Sequence, residues 1–113
     1  MLRGEVWLIN LDPSVGAEIR KTRPAVIVSE DAIGALSLRV VVPLTEWKDR
    51  YEIAPWLVRV EPDGDNNLDK PSAADAFQIR SVSQARFVSR LGQVTAADLE
   101  VIVRAVQVVI GAS

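Results

Sequence analysis

Three short runs, residues 5–11 (EVWLINL), 23–29 (RPAVIVS) and 38–44 (LRVVVPL), constrain this chain more than any other feature. Each is rich in Val, Ile and Leu and is apolar at odd and even positions alike. They are short for helices, and β-branched side chains are stiff at χ1 and pack well on a pleated surface. A strand that is apolar on both faces has to be covered on both faces. The chain therefore needs three central strands, and its other segments must supply a layer on each side of them.

Those other segments carry weaker but legible patterns. Residues 56–61 (WLVRVE), 74–81 (ADAFQIRS) and 86–94 (RFVSRLGQV) alternate apolar with polar positions, as strands with one wet face do; in the second, Gln78 and Arg80 lie opposite Phe77 and Ile79. Thr95 with Asp98 three positions on resembles a capping box. Leu99, Ile102, Val103, Val106 and Ile110 follow at helical spacing, with Gly111 as a stop. The polar face of this helix is only Glu100, Arg104 and Gln107, so its wide apolar side is either deeply covered or shared with a second copy of the chain, and a homodimer is expected. The segments 16–22, 46–55 and 61–71 hold the Gly, Pro, Asn, Asp and charge of loops. One domain spanning 1–113 is expected, α+β but mainly β: a strongly curved antiparallel sheet or small barrel with a C-terminal helix.

Composition narrows the chemistry. The 113 residues include no Cys and no His, which removes thiol nucleophiles, disulfides, the common zinc ligands and the usual acid/base group at neutral pH. Catalysis here has to use Arg, Lys, Glu, Asp, Ser, Thr or Tyr. No apolar run approaches the ~20 residues of a membrane span, and the first ten residues enter a strand pattern without a secretion signal, so no membrane association and a cytoplasmic location are expected. The net charge of −2 is unevenly spread: four bases face three acids in residues 1–29, five face ten in 30–75, and four face two in 76–113. Local potential rather than the total governs anion binding over a Debye length of roughly 8–10 Å.

The stretch GAEIRKTRP (16–24) packs Glu18, Arg20, Lys21 and Arg23 into one loop and strand entrance. A loop that only turned the chain would have no use for so many cations. Arg23, biased to extended backbone by Pro24, presents a planar fork suited to a phosphate, or else forms a surface salt bridge with Glu18.

Residues 3–29 resemble the amino-terminal signature of the MazF/PemK toxins, the messenger-RNA interferases of toxin–antitoxin modules. The matching positions are Arg3, Gly4, Glu5, Asp12, Pro13, Gly16, Glu18, Arg23 and Pro24, and the likeness continues through VVVPLT (40–45), FQIRSVS (77–83) and the closing helix. The resemblance implies a dimeric SH3-like barrel with a twisted sheet. It also implies cleavage of single-stranded RNA at short motifs without a metal or cofactor, leaving a cyclic phosphate and a 5′-hydroxyl, and inhibition by an antitoxin with an extended tail. By motif position the family's active-site arginine corresponds to Arg23, its threonine to Thr45 and its loop glutamate to Glu18. One departure stands out: several members carry an acid three positions before the basic residue of the later strand, where this chain has Phe77 before Arg80, with Asp75 as the nearest acid upstream.

On this reading Arg23 stabilises the charge that builds on a phosphorane and secondarily serves the leaving group, since an arginine rarely releases its proton. Thr45 either hydrogen-bonds a phosphate oxygen or bonds its own backbone at a strand end. Glu18 either accepts the 2′-hydroxyl proton or orients Arg23. Arg20 and Lys21 are phosphate contacts or solvated loop cations. Gln78, Arg80 and Ser81 read base edges or form an ordinary wet sheet face. Trp47 stacks on a base or receives an antitoxin tail, whereas Trp7 and Trp56 fill the core or dimer interface. Two rival readings remain: a toxin of this fold that inhibits a protein such as DNA gyrase, and an inactive module that binds RNA or antitoxin without cutting.

Overall fold

The computed structural model describes residues 1–112. Seven strands and one helix follow in order: β1 (Glu5–Asn10), β2 (Thr22–Ile27), β3 (Leu38–Glu46), β4 (Leu57–Val60), β5 (Ser72–Asp75), β6 (Arg80–Ser83), β7 (Phe87–Gln93) and α1 (Ala96–Val109). They form one antiparallel sheet in the order β4-β5-β3-β2-β1-β7, with β6 also paired to β3. The three continuous apolar runs are β1, β2 and β3, side by side in the middle.

Their two-sided apolar pattern is explained by two separate cores. Val6, Val26, Val42 and Leu44 face one core with Val60, Ala74, Val94 and Ile102, and Ile9, Ala25, Ile27 and Val41 face another with Leu11 and Val82. Alternation along each strand feeds the two sides in turn. The helix covers the first side through buried Ile102 and Ala105, with Leu99 and Val106 half-buried beside them. Its ends match the sequence signals: Thr95 Oγ1 accepts the Asp98 N–H at 3.0 Å, and Gly111 leaves the helix at φ 72°, a conformation easiest for glycine.

Curvature comes from β3, which changes neighbours along its length. Residues Leu38 to Val41 pair with β6, while Leu44 to Glu46 pair with β5. A nine-residue strand shared this way makes a corner in the sheet. No helix among the described residues is long and apolar enough to cross a membrane.

The loop between β4 and β5, rich in Asp and Asn, is an organised part of the fold. Asn66 is fully buried; its amide donates to Glu61 O, and its Oδ1 accepts the N–H groups of Asp63 and Leu68. So ordered, the loop lies against β7: Gln93 donates to Asp65 O at 3.0 Å, and the Asn67 amide donates to Leu91 O. It thus bridges β7 to the segment that follows β4, the two ends of the strand order.

Two expectations need correction. The strand pattern over 74–81 is interrupted, because Asp75 Oδ1 accepts the Phe77 N–H at 3.1 Å and caps a single 3₁₀ turn, Ala76–Gln78, between β5 and β6. A local side-chain to backbone bond of this kind offers the chain an alternative to the ladder. Phe77 is therefore 66% exposed instead of inward, and Gln78 lies in the turn. Trp56 precedes β4 rather than opening it; at 39% exposed it meets Phe77 edge to face.

A side chain at Gly92 would overlap the Asp65 carbonyl. Gly92→Ala is expected to destabilise the protein by about 3 kcal/mol, the upper end for overpacking, since backbone on both sides must give way. Urea denaturation measures this, and an unchanged midpoint would show that the loop contact is dispensable.

Candidate active site

The β2–β3 ladder starts at Ala25↔Pro43. Pro24 has no N–H to offer, and Arg23, which precedes it, is paired on its other side with Ile9 of β1. Continuing the same register by two residues brings Arg23 opposite Thr45, itself anchored to Ala73 of β5. Arg23 is exposed and has no carboxylate partner in any ion pair among the described residues. A guanidinium placed by two strands and left free is ready for an external anion.

Arg23 and Thr45 line a cleft of about 480 Å³ with Leu8, Pro24, Glu46 and Lys70. Lys70 was not singled out from sequence. It arrives because β5 pairs with β3, Glu46 opposite Ser72, and the turn before β5 is fixed by Trp47 N–H to Pro71 O and Ser72 Oγ to Lys70 O. Its ammonium lies 3.6 Å from Glu46 Oε2 in a solvent-exposed pair of the weak, easily exchanged kind.

Glu18 sits in a neighbouring cavity of about 360 Å³, lined also by Leu11, Pro43, Phe77, Gln78 and Arg80. Pro43, which lines this cavity, and Thr45, which lines the first, alternate onto the same face of β3; the two cavities share no lining residue. The salt bridge between Glu18 and Arg23 is not formed. Glu18 Oε1 instead accepts the Val15 N–H at 2.6 Å, within its own loop.

That loop is held at several points. Leu11 N–H bonds Lys21 O at 2.9 Å across its neck, where Lys21 adopts φ 66°, a left-handed conformation uncommon for a lysine. Arg80 Nη1 donates to Leu11 O, and Arg86 Nη1 donates to Asn10 O and Asp12 O. The Gln78 amide bonds the backbone of Ile19 and Ala17. Arg20 and Lys21 are exposed at the loop's end, with the Arg20 guanidinium near Gly16 O.

Two further candidates lie apart. Ser81 lines a different depression with Ser29, Leu36 and Arg39. Trp47 borders neither cavity; Tyr51 meets it edge-on, the Arg59 guanidinium lies 5.2 Å from its ring centre, and its buried indole N–H has no partner. The Arg59 guanidinium thus occupies one face of the ring on which a base would stack.

Comparison with known proteins adds an independent finding. Residues 2–110 match the family described as PemK-like, MazF-like toxins of type II toxin–antitoxin systems. The chain belongs to this toxin family. Among curated relatives, the endoribonuclease MazF9 of Mycobacterium tuberculosis is 36% identical over 105 residues, covering 88% of this chain and 86% of that protein. The solved structure of MazF from Deinococcus radiodurans superposes with a TM-score of 0.81 at 22% identity, covering 98% of this chain and 96% of the other. A mycobacterial endoribonuclease solved in complex with its cognate antitoxin superposes with a TM-score of 0.77 at 24% identity, covering 100% and 97%. Both superpositions concern the fold.

The acid nearest the Phe77 departure in this MazF/PemK-type chain is Asp75. Burial pushes its carboxyl above the usual aspartate range, against the opposing bonds from Phe77 and Gln78. A raised folded-state pKa means the protonated form suits the fold: the stability it contributes is present below the ordinary aspartate value and is lost as pH rises through the raised value. Asp75→Asn keeps an oxygen for the Phe77 N–H and removes the charge. It is expected to raise the melting temperature at pH 7, with the gain shrinking as pH falls through the raised value and gone below 3.8, the ordinary value. An equal gain at both ends of a pH series of melting curves would contradict this.

Proposed function

We propose that this chain is the toxin of a type II toxin–antitoxin module and acts as an endoribonuclease on single-stranded RNA. The observation that carries the reading is Arg23, a guanidinium without an ion-pair partner among the described residues, opposite Thr45 in a cleft, within a family whose curated relatives are named endoribonucleases.

The chemistry follows from what the residues can do. A phosphate seated in the cleft takes hydrogen bonds from Arg23 and Thr45, with Lys70 adding positive charge. Glu18, released from Val15, accepts the proton of the ribose 2′-hydroxyl, and the 2′-oxygen attacks the adjacent phosphorus. Arg23 stabilises the negative charge that gathers on the non-bridging oxygens. The bond to the 5′-oxygen breaks, that oxygen takes a proton, and the products are a 2′,3′-cyclic phosphate and a 5′-hydroxyl. Arg20 and Lys21 hold flanking phosphates, so their removal weakens binding for all sequences. Neighbouring toxins are solved with their antitoxins, which supports a cognate antitoxin that occludes the same cleft with an extended tail.

A homodimer fits the exposed apolar surface: Ile33, Leu36 and Leu38 stand beside a depression of about 280 Å³ lined by Val40, Ile79, Val103 and Val106. Light scattering is expected to give twice the 12.4 kDa chain mass for the wild type and a shift toward monomer for Leu36→Arg; a wild-type monomer at micromolar concentration would contradict this.

The activity is tested on long single-stranded RNA in EDTA, with fragment ends mapped. Discrete cuts by the wild type, reduced at least ~10²-fold in Arg23→Ala, are expected. Intact RNA from folded, antitoxin-free protein would overturn the reading and favour a toxin directed at a protein target.

A further inference from the structure

Among the described residues, Gln78 is the one side chain that bonds both peptide groups flanking Glu18. Its Oε1 accepts the Ile19 N–H at 2.6 Å, and its Nε2 donates to Ala17 O at 3.1 Å. A glutamine amide carries an acceptor oxygen with two lone pairs and two N–H donors side by side, and here one of each is used on backbone 59 and 61 residues away in sequence. These two bonds fix the amide's orientation toward the loop. The side chain is itself fixed at its root, because Gln78 closes the 3₁₀ turn that Asp75 caps.

We infer that Gln78 is a positioning residue: it clamps the backbone on both sides of Glu18 before RNA arrives and so fixes the point from which the carboxylate, once it leaves Val15, reaches the ribose. The inference rests on the assignment of Glu18 as the base. The clamp acts together with the bonds from Arg80 and Arg86 at the loop's root, so β6 and the turns on either side of it hold the loop at base and tip. A carboxylate on a loop without such bonds would sample many positions, and a misplacement of about 1 Å can cost ~10²-fold in rate.

The test compares wild type, Gln78→Ala, Gln78→Glu, Glu18→Gln and the double variant Glu18→Gln/Gln78→Ala. Gln78→Glu keeps an acceptor for Ile19 but cannot donate to Ala17, so it guards against misfolding of the alanine variant. The expected result has four parts. The Ile19 amide exchanges with solvent roughly fivefold faster or more in Gln78→Ala, one net hydrogen bond's worth. Single-turnover cleavage falls ~10–100-fold while the affinity for an RNA with a 2′-deoxy scissile nucleotide changes little. The set of cleavage sites on a long RNA stays the same. The double variant is no slower than Glu18→Gln alone.

An altered set of sites in Gln78→Ala would make Gln78 a base reader and overturn the inference, as would losses that multiply in the double variant. An inactive Glu18→Gln beside an unimpaired Gln78→Ala would sink this inference alone. A Glu18→Gln protein as fast as wild type would remove the underlying assignment and the inference with it.

Discussion

Pairing between β2 and β3 begins at Ala25↔Pro43, and the chemistry of the molecule depends on its beginning there. Pro24 contributes no N–H, so Arg23 and Thr45 are aligned by the register of a sheet they no longer help to close. Their other neighbours, Ile9 and Ala73, keep them in rigid strands. A cation left unpaired is tolerable here because it is exposed and solvated. Burial of β1–β3 on both faces makes this register hard to shift, since a slip of one residue would exchange the two cores.

Around this rigid edge the protein arranges mobile chemistry on held supports. Lys70 arrives on an ordered turn and pairs with Glu46 only through solvent-exposed atoms. Glu18 rests against its own loop rather than against Arg23, so the proposed base and the proposed phosphate clamp do not neutralise one another. Other conspicuous members of the signature serve the fold. Arg3 Nε bonds Val28 O, and Glu5 takes the indole of Trp7 and the guanidinium of Arg90. Burial alone would raise the Glu5 carboxyl, yet the bonds from Leu2, Trp7 and Arg90 hold it down at about 2.

Much of this was legible in the residues. The apolar runs became the central strands because nothing but a two-sided core accommodates them, and the helix began at Thr95 and left at Gly111 as their capping chemistry requires. What was not legible depends on single contacts between distant segments. ADAFQIRS alternates as a strand should, and one bond from Asp75 to Phe77 N–H breaks it. The loop between β4 and β5 looked like solvated connection, but buried Asn66 makes it part of the wall. Glu18, Arg23 and Thr45 were reached through the family likeness. Their division between two cavities, and the presence of Lys70 in one of them, follow only from strand pairing across the sheet.

The proposed chemistry directs a ribose 2′-oxygen onto a phosphate held by Arg23 and Thr45. It is tested most directly by one RNA made in two forms, identical except for a 2′-deoxy sugar at the mapped cleavage position. The ribose form is expected to be cut to a cyclic phosphate and a 5′-hydroxyl, and the deoxy form to bind with similar affinity and stay whole. Cleavage of the deoxy form at the same bond would contradict it.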